Sequence, residues 1–371
     1  MPIQAAFTLN PNEIFASLAN MIISQEVFAD NLGKHQTLVD KARVDGSLFG
    51  DKKLYYATDV LVSHAWGADL EATNLLQIER PSAPIVQDIT LDVFRQIRLT
   101  VDNYLSKRAW SSEGAFSSFN SVMLGWMRET KRVYDGTNFN VFIGTTEAAG
   151  SYVDENGATI VNPENDQSIN CDITTAVGSA TGIEAAQLEA TEIARCLADL
   201  VVKMGDYSRA YNDYGMLRSY KDEAIKVVWN SAFVNKIKKV DLPTIFHKEG
   251  LVDKFEEEVL PARYFGAVNS SATAGDGSTV RSLVEQVIGT HHYFAGDLIK
   301  VGDTAPAGKS YTESADVICK VLVKLPPYMS AFEVGTSFFN PRSLTENHYL
   351  TFGHNTLEYL KNYPLITVKA I

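Results

Sequence analysis

The sequence predicts an α+β fold that is rich in strands and turns. Two long amphipathic helices, over 111–136 and 183–204, lie among runs in which apolar and polar residues alternate, as they do in half-buried strands. The 24 glycines and the 10% aromatic content are typical of a turn-rich, β-rich chain. With 371 residues, of which 45% are hydrophobic, the chain can bury one large core or two modest ones.

The helix predicted over 111–136 is the spine of the expected fold. It opens with Ser-Ser-Glu, which favours a helix start, and Gly136 is a stop signal. Lys131 and Arg132 are expected in the last turn, where cations meet the negative end of the helix dipole. Residues spaced three and four apart define its apolar face: Phe116, Phe119, Met123, Trp126, Met127, Thr130 and Val133. We expect Trp126 to be core and a strand over 139–143 to follow.

The first hundred residues predict a helical arm and then a long ribbon. Helices are expected over 11–31 and 37–44, and a strand over 54–62. After a polar stretch, alternating residues predict a second strand over 89–101, interrupted near Phe94. Out-and-back strands of this kind form either a meander in a compact β-domain or an arm that reaches over a neighbouring subunit. The pattern alone leaves both open.

The remainder of the chain alternates between strands and loops around the second helix. Asn156-Gly157 predicts a hairpin over 152–160, and Gly205 is expected to end the second helix. Asn230 is expected to cap a helix over 231–238. Residues 256–258, three glutamates, are interpreted as a solvated helix face or loop. Further strands are predicted over 225–229, 293–301, 316–325, 332–339 and 365–368, with a helix or strand over 279–288. The last strand is expected to return to the domain of the spine helix.

Composition argues against several classes of protein. The net charge is −12 and the pI about 5.1, whereas a sequence-specific nucleic-acid binder usually carries a basic stripe or tail. The sequence contains no run of eighteen or more apolar residues, so it predicts no membrane span. The first residues do not resemble a secretory signal. The three cysteines, Cys171, Cys196 and Cys319, form no CxxC pair, which predicts free thiols in a reducing compartment.

No motif predicts catalysis, and we expect no catalytic, cofactor-binding or metal-ligating residue and no cofactor. HExxH, GxSxG and GxGxxG are absent from the sequence, and the glycine-containing loop at 270–278 does not end in GK[ST], so it does not predict a phosphate-binding loop. His291 and His292 are adjacent, so on a strand they face opposite sides and cannot share a metal ion. His348 and His354 are interpreted as surface or turn residues. The sequence therefore predicts a structural protein rather than an enzyme.

The order of parts carries a family resemblance. Residues 88–92 leading into 98–102 look like the end of an extended loop and its re-entry into a domain. Residues 218–220 followed by 225–231 look like a strand and helix of a second domain, and 340–342 open a closing sheet. In this order the chain resembles the major capsid proteins of tailed bacteriophages, which have the HK97-type fold. It is most similar to the coat proteins of short-tailed phages.

The resemblance implies four parts. They are an N-terminal arm at 1–45, an extended β-hairpin loop (E-loop) at 46–92, a peripheral domain with the spine helix and a β-sheet at 93–145 and 300–371, and an axial domain at 146–299. A Lys-Asn cross-link, which some capsids of this fold make, matches no pair in this sequence. No cleaved N-terminal scaffolding segment is evident, which suits a separate scaffolding protein.

The resemblance also implies a function and partners. The chain is expected to assemble in the host bacterial cytoplasm as pentamers and hexamers, forming the icosahedral head of the virion. That head would enclose double-stranded DNA without sequence-specific binding. Scaffolding and portal proteins are the expected partners, and no membrane is involved. Two alternatives stay open: an encapsulin-like compartment shell of the same fold, and an enzyme or binding protein that is β-rich and lacks a motif.

Overall fold

The computed structural model describes residues 37–45, 52–63, 78, 80–102, 113–146, 151–153, 159–161, 168–234, 256–269, 272–273 and 279–371. The chain divides into two compact units. The first contains the described residues within Met1–Asp51, Thr90–Asn140 and Tyr328–Thr356. The second contains those within Lys52–Ile89, Val141–Pro327 and Leu357–Ile371. The helix predicted over 11–31 lies outside the described residues.

The helices are α1 (Thr37–Ala42), α2 (Glu113–Gly144), α3 (Ile173–Val177) and α4 (Gly182–Gly205), with 3-10 turns at Asp222–Ala224 and Ala262–Tyr264. The first ten strands are β1 (Arg43–Asp45), β2 (Lys52–Ala57), β3 (Ile85–Val101), β4 (Thr145–Thr146), β5 (Ser151–Val153), β6 (Thr159–Val161), β7 (Ser168–Cys171), β8 (Lys226–Asn230), β9 (Glu256–Leu260) and β10 (Gly266–Asn269). The others are β11 (Ala272–Thr273), β12 (Val280–Ser282), β13 (Gln286–Ile288), β14 (His291–Tyr293), β15 (Thr304–Ala305), β16 (Ser310–Glu313), β17 (Val317–Leu322), β18 (Tyr328–Asn340), β19 (Thr345–Asn355) and β20 (Leu365–Ala370).

The first unit is a sheet packed on the long helix α2. Its strands lie in the order β1-β18-β19-β3, with β1 parallel to β18 and the other pairs antiparallel. Aromatic rings of the helix meet aromatic rings of the sheet: Tyr134 lies edge-on to Phe352 at 5.6 Å, and Phe139 edge-on to Tyr328 at 6.3 Å. A spine helix covered by a sheet is therefore confirmed.

Helix α2 ends eight residues later than predicted. Gly136 is a buried residue within the helix, and the strand predicted over 139–143 is wrong, because Phe139, Val141 and Ile143 are buried helical residues. Packing of this apolar turn outweighs the β-propensity of its residues. Thr145, directly after the helix, bonds back to it, since its hydroxyl donates to the carbonyl of Val141 at 2.9 Å.

The buried face of α2 also differs from the predicted one. Met127 is buried, but Trp126 is only half-buried, so its assignment to the core is wrong. Lys131 is not a last-turn surface cation. It lies mid-helix, its side chain is 7% exposed, and its amino group contacts the carboxylate of Asp135 at 3.0 Å. A charged residue can occupy a buried position here because its partner follows one turn later on the same face.

Strand β3 is continuous over seventeen residues, so the interruption predicted near Phe94 is wrong. The irregularity is a bulge at Asp92, since Val93 pairs with His354 and Leu91 with Asn355. The Asp92 carboxylate accepts hydrogen bonds from the backbone N–H and the hydroxyl of Thr356, both at 2.6 Å. These bonds supply local partners at the bulge.

The second unit contains a five-stranded sheet in the order β7-β20-β17-β8-β9. Helix α4, predicted within one residue at each end, packs its apolar face on this sheet. The core includes Ile193, Leu200 and Met204 of the helix and Ile318 and Val368 of the sheet. The terminal strand β20 lies in this unit, between β17 and β7, rather than in the unit that holds most of the spine helix.

Strand β8 confirms one local prediction and corrects another. The side-chain oxygen of Asn230 accepts from the N–H of Ala232 at 3.0 Å, so Asn230 caps the helical turn 231–234 as expected. Glu256–Leu260, in contrast, is strand β9 and not a helix face or loop. Hydrogen bonds to β8 stabilise this strand, although a run of three glutamates does not favour strand structure.

Smaller sheets complete the second unit. β12, β16, β10 and β4 form one sheet, and β13 pairs with β14. The predicted hairpin is confirmed by the pairing of Tyr152 with Ile160, although its Asn-Gly turn lies outside the described residues. The strand predicted over 293–301 is wrong beyond Tyr293, because the chain turns at Gly296, which has a φ of 87°. Residues 279–288 form two short strands.

Candidate interaction surface

An exposed apolar segment distinguishes the second unit. On β2 and the residues after it, Val60 is 55% exposed, Leu61 75% and Val62 79%. Other apolar side chains of the same segment are also exposed: Leu54, Tyr56, Ile78, Ile85 and Val86. We call the described residues of 52–63 and 78–89 the extended segment. Clustered exposed apolar residues of this kind are typical of surfaces that contact another molecule.

Asp59 anchors the outgoing end of this segment. Its carboxylate accepts a hydrogen bond from the guanidinium of Arg209 at 2.6 Å and one from the backbone N–H of Leu217 at 3.0 Å. The Arg209 hydrogen bond, followed by the backbone bonds, lowers the pKa of Asp59 to about 2. Arg218 adds a bond from its guanidinium to the carbonyl of Thr58 at 2.7 Å. Residues 58 and 59 are therefore held to the rest of the unit by hydrogen bonds.

Gln87 anchors the returning end. Its side-chain amide nitrogen donates to the carbonyl of Tyr359 at 2.9 Å, and its amide oxygen accepts from the N–H of Lys361 at 3.0 Å. Between the two strands, Lys52 forms an ion pair with Asp88. Both ends of the segment are thus held by hydrogen bonds to the unit, whereas the apolar side chains between them are exposed.

A buried polar cluster holds the first unit together. Asp135 is 1% exposed, and its carboxylate accepts from the Tyr328 hydroxyl at 2.5 Å, the Lys131 amino group at 3.0 Å and the Arg43 guanidinium at 3.2 Å. These partners come from β18, from α2 itself and from β1. One carboxylate therefore joins three separate elements, and the two cations compensate its burial.

His354 belongs to the same interior, so its assignment to the surface or a turn is wrong. It lies on the central strand β19, is 5% exposed and stacks on Tyr328 at 5.5 Å. Nδ1 contacts the carbonyl oxygen of Asn355 at 2.8 Å and therefore donates to it, while Nε2 accepts from the Tyr134 hydroxyl, also at 2.8 Å. Burial lowers the pKa of His354.

The other candidate chemical groups are kept apart. His291 and His292 contact different carboxylates, Asp303 at 2.9 Å and Glu285 at 2.8 Å, as expected for neighbours on a strand. Across the described residues, no group of three His, Cys, Asp or Glu side chains is arranged to hold a metal ion. No helix in these ranges is long and apolar enough to cross a membrane.

All three cysteines are free, as predicted. Cys171 and Cys319 are buried and Cys196 is half-buried. Burial raises the pKa of each thiol, which disfavours the nucleophilic thiolate. These three thiols are therefore not activated as nucleophiles.

Solved phage structures resemble this chain over most of its length. The capsid structure of Staphylococcus phage Andhra is 10% identical in sequence, and the match covers 88% of this chain and 83% of that chain with a TM-score of 0.52.

This chain has a phage capsid fold.

The second match has the same extent. The structure of the head fiber and inner core protein gp22 of native bacteriophage P68 is 11% identical, with 88% of this chain and 83% of that chain covered and a TM-score of 0.51. No family model and no curated protein matches the sequence. The phage capsid fold confirms the resemblance drawn from the order of parts, and its mixture of helix and sheet confirms the α+β class.

Several of the contacts described above were not predicted from the sequence. The Lys131–Asp135 pair has the i, i+4 spacing of helical ion pairs, so its proximity could have been inferred. The bonds of Asp59 to Arg209 and Leu217 join residues about 150 positions apart and leave no local signal in the sequence.

Proposed function

We propose that this chain is the major capsid protein of a tailed bacteriophage. It self-assembles as pentamers and hexamers into an icosahedral head that encloses double-stranded DNA. The extended segment carries the proposal, since it is apolar, exposed and fixed at both ends. The phage capsid fold supports the same conclusion. The partners are other copies of the chain, a scaffolding protein and a portal protein, and the location is the virion after assembly in the host bacterial cytoplasm.

We assign the parts of the fold accordingly. Residues 1–45 are the N-terminal arm and 46–92 the extended loop. We place a peripheral domain built on α2 at 93–145 and 300–371; the first compact unit supports the parts within Thr90–Asn140 and Tyr328–Thr356, whereas the parts within Val141–Pro327 and Leu357–Ile371 group with the second unit. The second unit supports an axial domain, within 146–299. Identical subunits in five-fold and six-fold rings need adaptable joints around rigid cores, and an anchored loop with an exposed apolar surface meets that need.

The acidic composition fits a container for DNA. A wall that gripped phosphate would need lysine and arginine, but the chain carries 33 of these against 45 aspartates and glutamates. We therefore expect the inner surface of the head to be acidic or neutral. A structure of the assembled head with a continuous Lys/Arg lining would contradict this expectation.

Electron microscopy and native mass spectrometry test the function. The chain is expressed with and without its neighbouring phage genes, and closed shells or free pentamers and hexamers are expected. A chain that stays a uniform monomer in the presence of its scaffolding protein would reject the proposal and favour an enzyme or binding protein.

Deletion of residues 60–85 tests the role of the extended segment. The subunit should remain folded, because its anchors Asp59 and Gln87 and both cores are retained, but closed shells should be lost. A gentler variant replaces Leu61 and Val62 by serine. The matched control replaces Ile183 and Val202 by serine, since these α4 residues are 78% and 72% exposed but lie outside the segment. Equal shell yields from the two double variants would count against the assignment.

A further inference from the structure

Strand β18 has a long open edge. On its outer side, β1 pairs only with Tyr328, Met329 and Ser330. On its inner side, β19 pairs as far as Asn340. Within the part of the chain that the structure describes, no strand pairs with the outer side of residues 334–340. Alternate residues of this seven-residue run therefore direct their backbone N–H and C=O groups outward, without a described strand beside them.

The side chains of this edge strand do not protect it. Its sequence is Val-Gly-Thr-Ser-Phe-Phe-Asn, which has no charge and no proline. Adjacent residues of a strand face opposite sides of the sheet, yet Phe338 is 61% exposed and Phe339 is 50% exposed. Exposed edges in soluble proteins usually carry lysine, proline or a bulge to prevent pairing with another chain. Residues 334–340 carry neither lysine nor proline, and the irregularity of this strand lies before them, between Ala331 and Val334.

The turn that follows the edge is strained. Leu344, between β18 and β19, has a φ of 56°, and among the described residues no other non-glycine residue has a positive φ. Glycine is the residue that adopts this conformation without cost, but leucine occupies it and is 42% exposed. An apolar side chain is thus exposed in the turn between β18 and β19, next to the unpaired edge, although glycine would fit this backbone conformation better.

We propose that residues 334–340 pair edge-on with a strand from a second copy of this chain, and that Leu344 contacts the same copy. The inference rests on the proposed function and adds to it the surface that receives a neighbour. A second copy is the occupant because the edge is uncharged, so a neighbour meets no charge repulsion there, and because shells are built from identical chains. Main-chain bonds would supply the affinity, and Phe338, Phe339 and Leu344 the apolar contact.

Amide hydrogen exchange tests the pairing directly. In the free subunit, the outward N–H groups of 334–340 should exchange rapidly; in closed shells the same peptide should exchange at least tenfold more slowly. Strand β19 is the internal control, since it is paired on both sides and should be protected in both states. The strand of the second copy is identified as the other region whose exchange slows on assembly.

Each other outcome overturns the inference. Rapid exchange of 334–340 within closed shells would reject the edge pairing and leave the proposed function intact. Protection already present in the free subunit would mean that the chain covers this edge itself. Failure of the wild-type chain to form shells with its scaffolding protein would reject both proposals together.

The substitution Leu344→Gly tests this turn. Glycine relieves the strained backbone, so the melting temperature of the free subunit should not fall, while the yield of closed shells should fall several-fold. The matched control is Tyr207→Gly, which removes an apolar side chain that is 74% exposed in a different part of the fold. An unchanged yield for Leu344→Gly would reject the contact.

Discussion

The hydroxyl of Tyr328 donates a hydrogen bond of 2.5 Å to the carboxylate of Asp135, inside the first unit. Tyr328 begins strand β18 and Asp135 lies in the middle of helix α2, so the bond fixes the strand to the helix. Burial, and then the neighbouring Asp135 charge, raises the pKa of Tyr328, which therefore stays a donor. The bond is the centre of the polar cluster from which the first prediction follows.

Replacing Asp135 by alanine should destabilise the chain by about 3–5 kcal/mol, because it leaves the buried Lys131 without its main partner. The matched control is Asp199→Ala, which breaks an exposed pair with Lys203 at the same spacing and should cost much less, because solvent screens the two charges. Urea unfolding measures both. Equal losses would show that burial of the Asp135 pair has no special weight.

The stability of the first unit should fall in acid because of His354. Its pKa is lowered in the folded chain, so below about pH 6.5 the unfolded chain binds more protons and unfolding is favoured. The loss of stability begins near pH 6.5 and is complete below the pKa of His354 in the folded chain. Above pH 6.5 the residue is neutral in both the folded and the unfolded chain. Among the charges around the ring, Asp135 and Asp92 oppose this lowering of the pKa, and Arg95 reinforces it.

The variant His354→Gln removes this titration. Unfolding free energies at pH 7 and pH 5 should therefore differ less in the variant than in the wild type. A wild-type difference that persists unchanged in His354→Gln would assign the acid sensitivity to other groups.

Two glycines of helix α2 should respond in opposite directions to alanine. A Cβ at Gly144 would lie 2.2 Å from the carbonyl oxygen of Tyr264, so Gly144→Ala should cost about 1–3 kcal/mol. A Cβ at Gly125 meets nothing within 4 Å, and Gly125→Ala should stabilise the chain by roughly 0.5–1 kcal/mol. Thermal unfolding of the two variants checks the pair. If Gly125→Ala lost as much stability as Gly144→Ala, the described difference in packing around the two glycines would be contradicted.

The substitution Arg209→Ala should loosen the outgoing end of the extended segment without unfolding the chain. It removes the donor that bonds both to Asp59 and to the carbonyl of Gly215. Amide exchange of residues 58–63 should accelerate severalfold while that of β17 stays unchanged. The control Arg195→Ala breaks an exposed ion pair on α4 and should leave both regions as they were. Unaltered exchange at 58–63 in Arg209→Ala would show that the anchor lies elsewhere.

Local patterns predicted those elements whose own residues settle their structure. The apolar residues of helix α4 recur with a period of 3.6, and the observed helix, Gly182–Gly205, agrees with the helix predicted over 183–204. Asn230 is a preferred capping residue and caps the next turn. Strands β17, β18 and β20 follow from β-prone runs between turn residues. In each of these, propensity and packing favour the same structure.

Predictions failed where distant residues supplied the decisive partner. Residues 139–143 form helix because they pack in the interior, although their β-propensity is high. His354 is buried because β19 is a central strand, and Gly353 beside it lies against the ring of Phe94 and not in a turn. A short stretch of sequence does not contain these distant neighbours, so burial by them cannot be predicted from it.

The sequence by itself determined the class of fold and the absence of the catalytic motifs sought, because these depend on composition, periodicity and short-range spacing. The tertiary structure decided which residues carry the interactions. It joined Asp59 to Arg209 and Tyr328 to Asp135, and among the described residues it left the outer side of β18 beyond Ser330 without a paired strand. Such contacts link positions far apart in the chain, and their free energies depend on burial, which only the folded chain fixes.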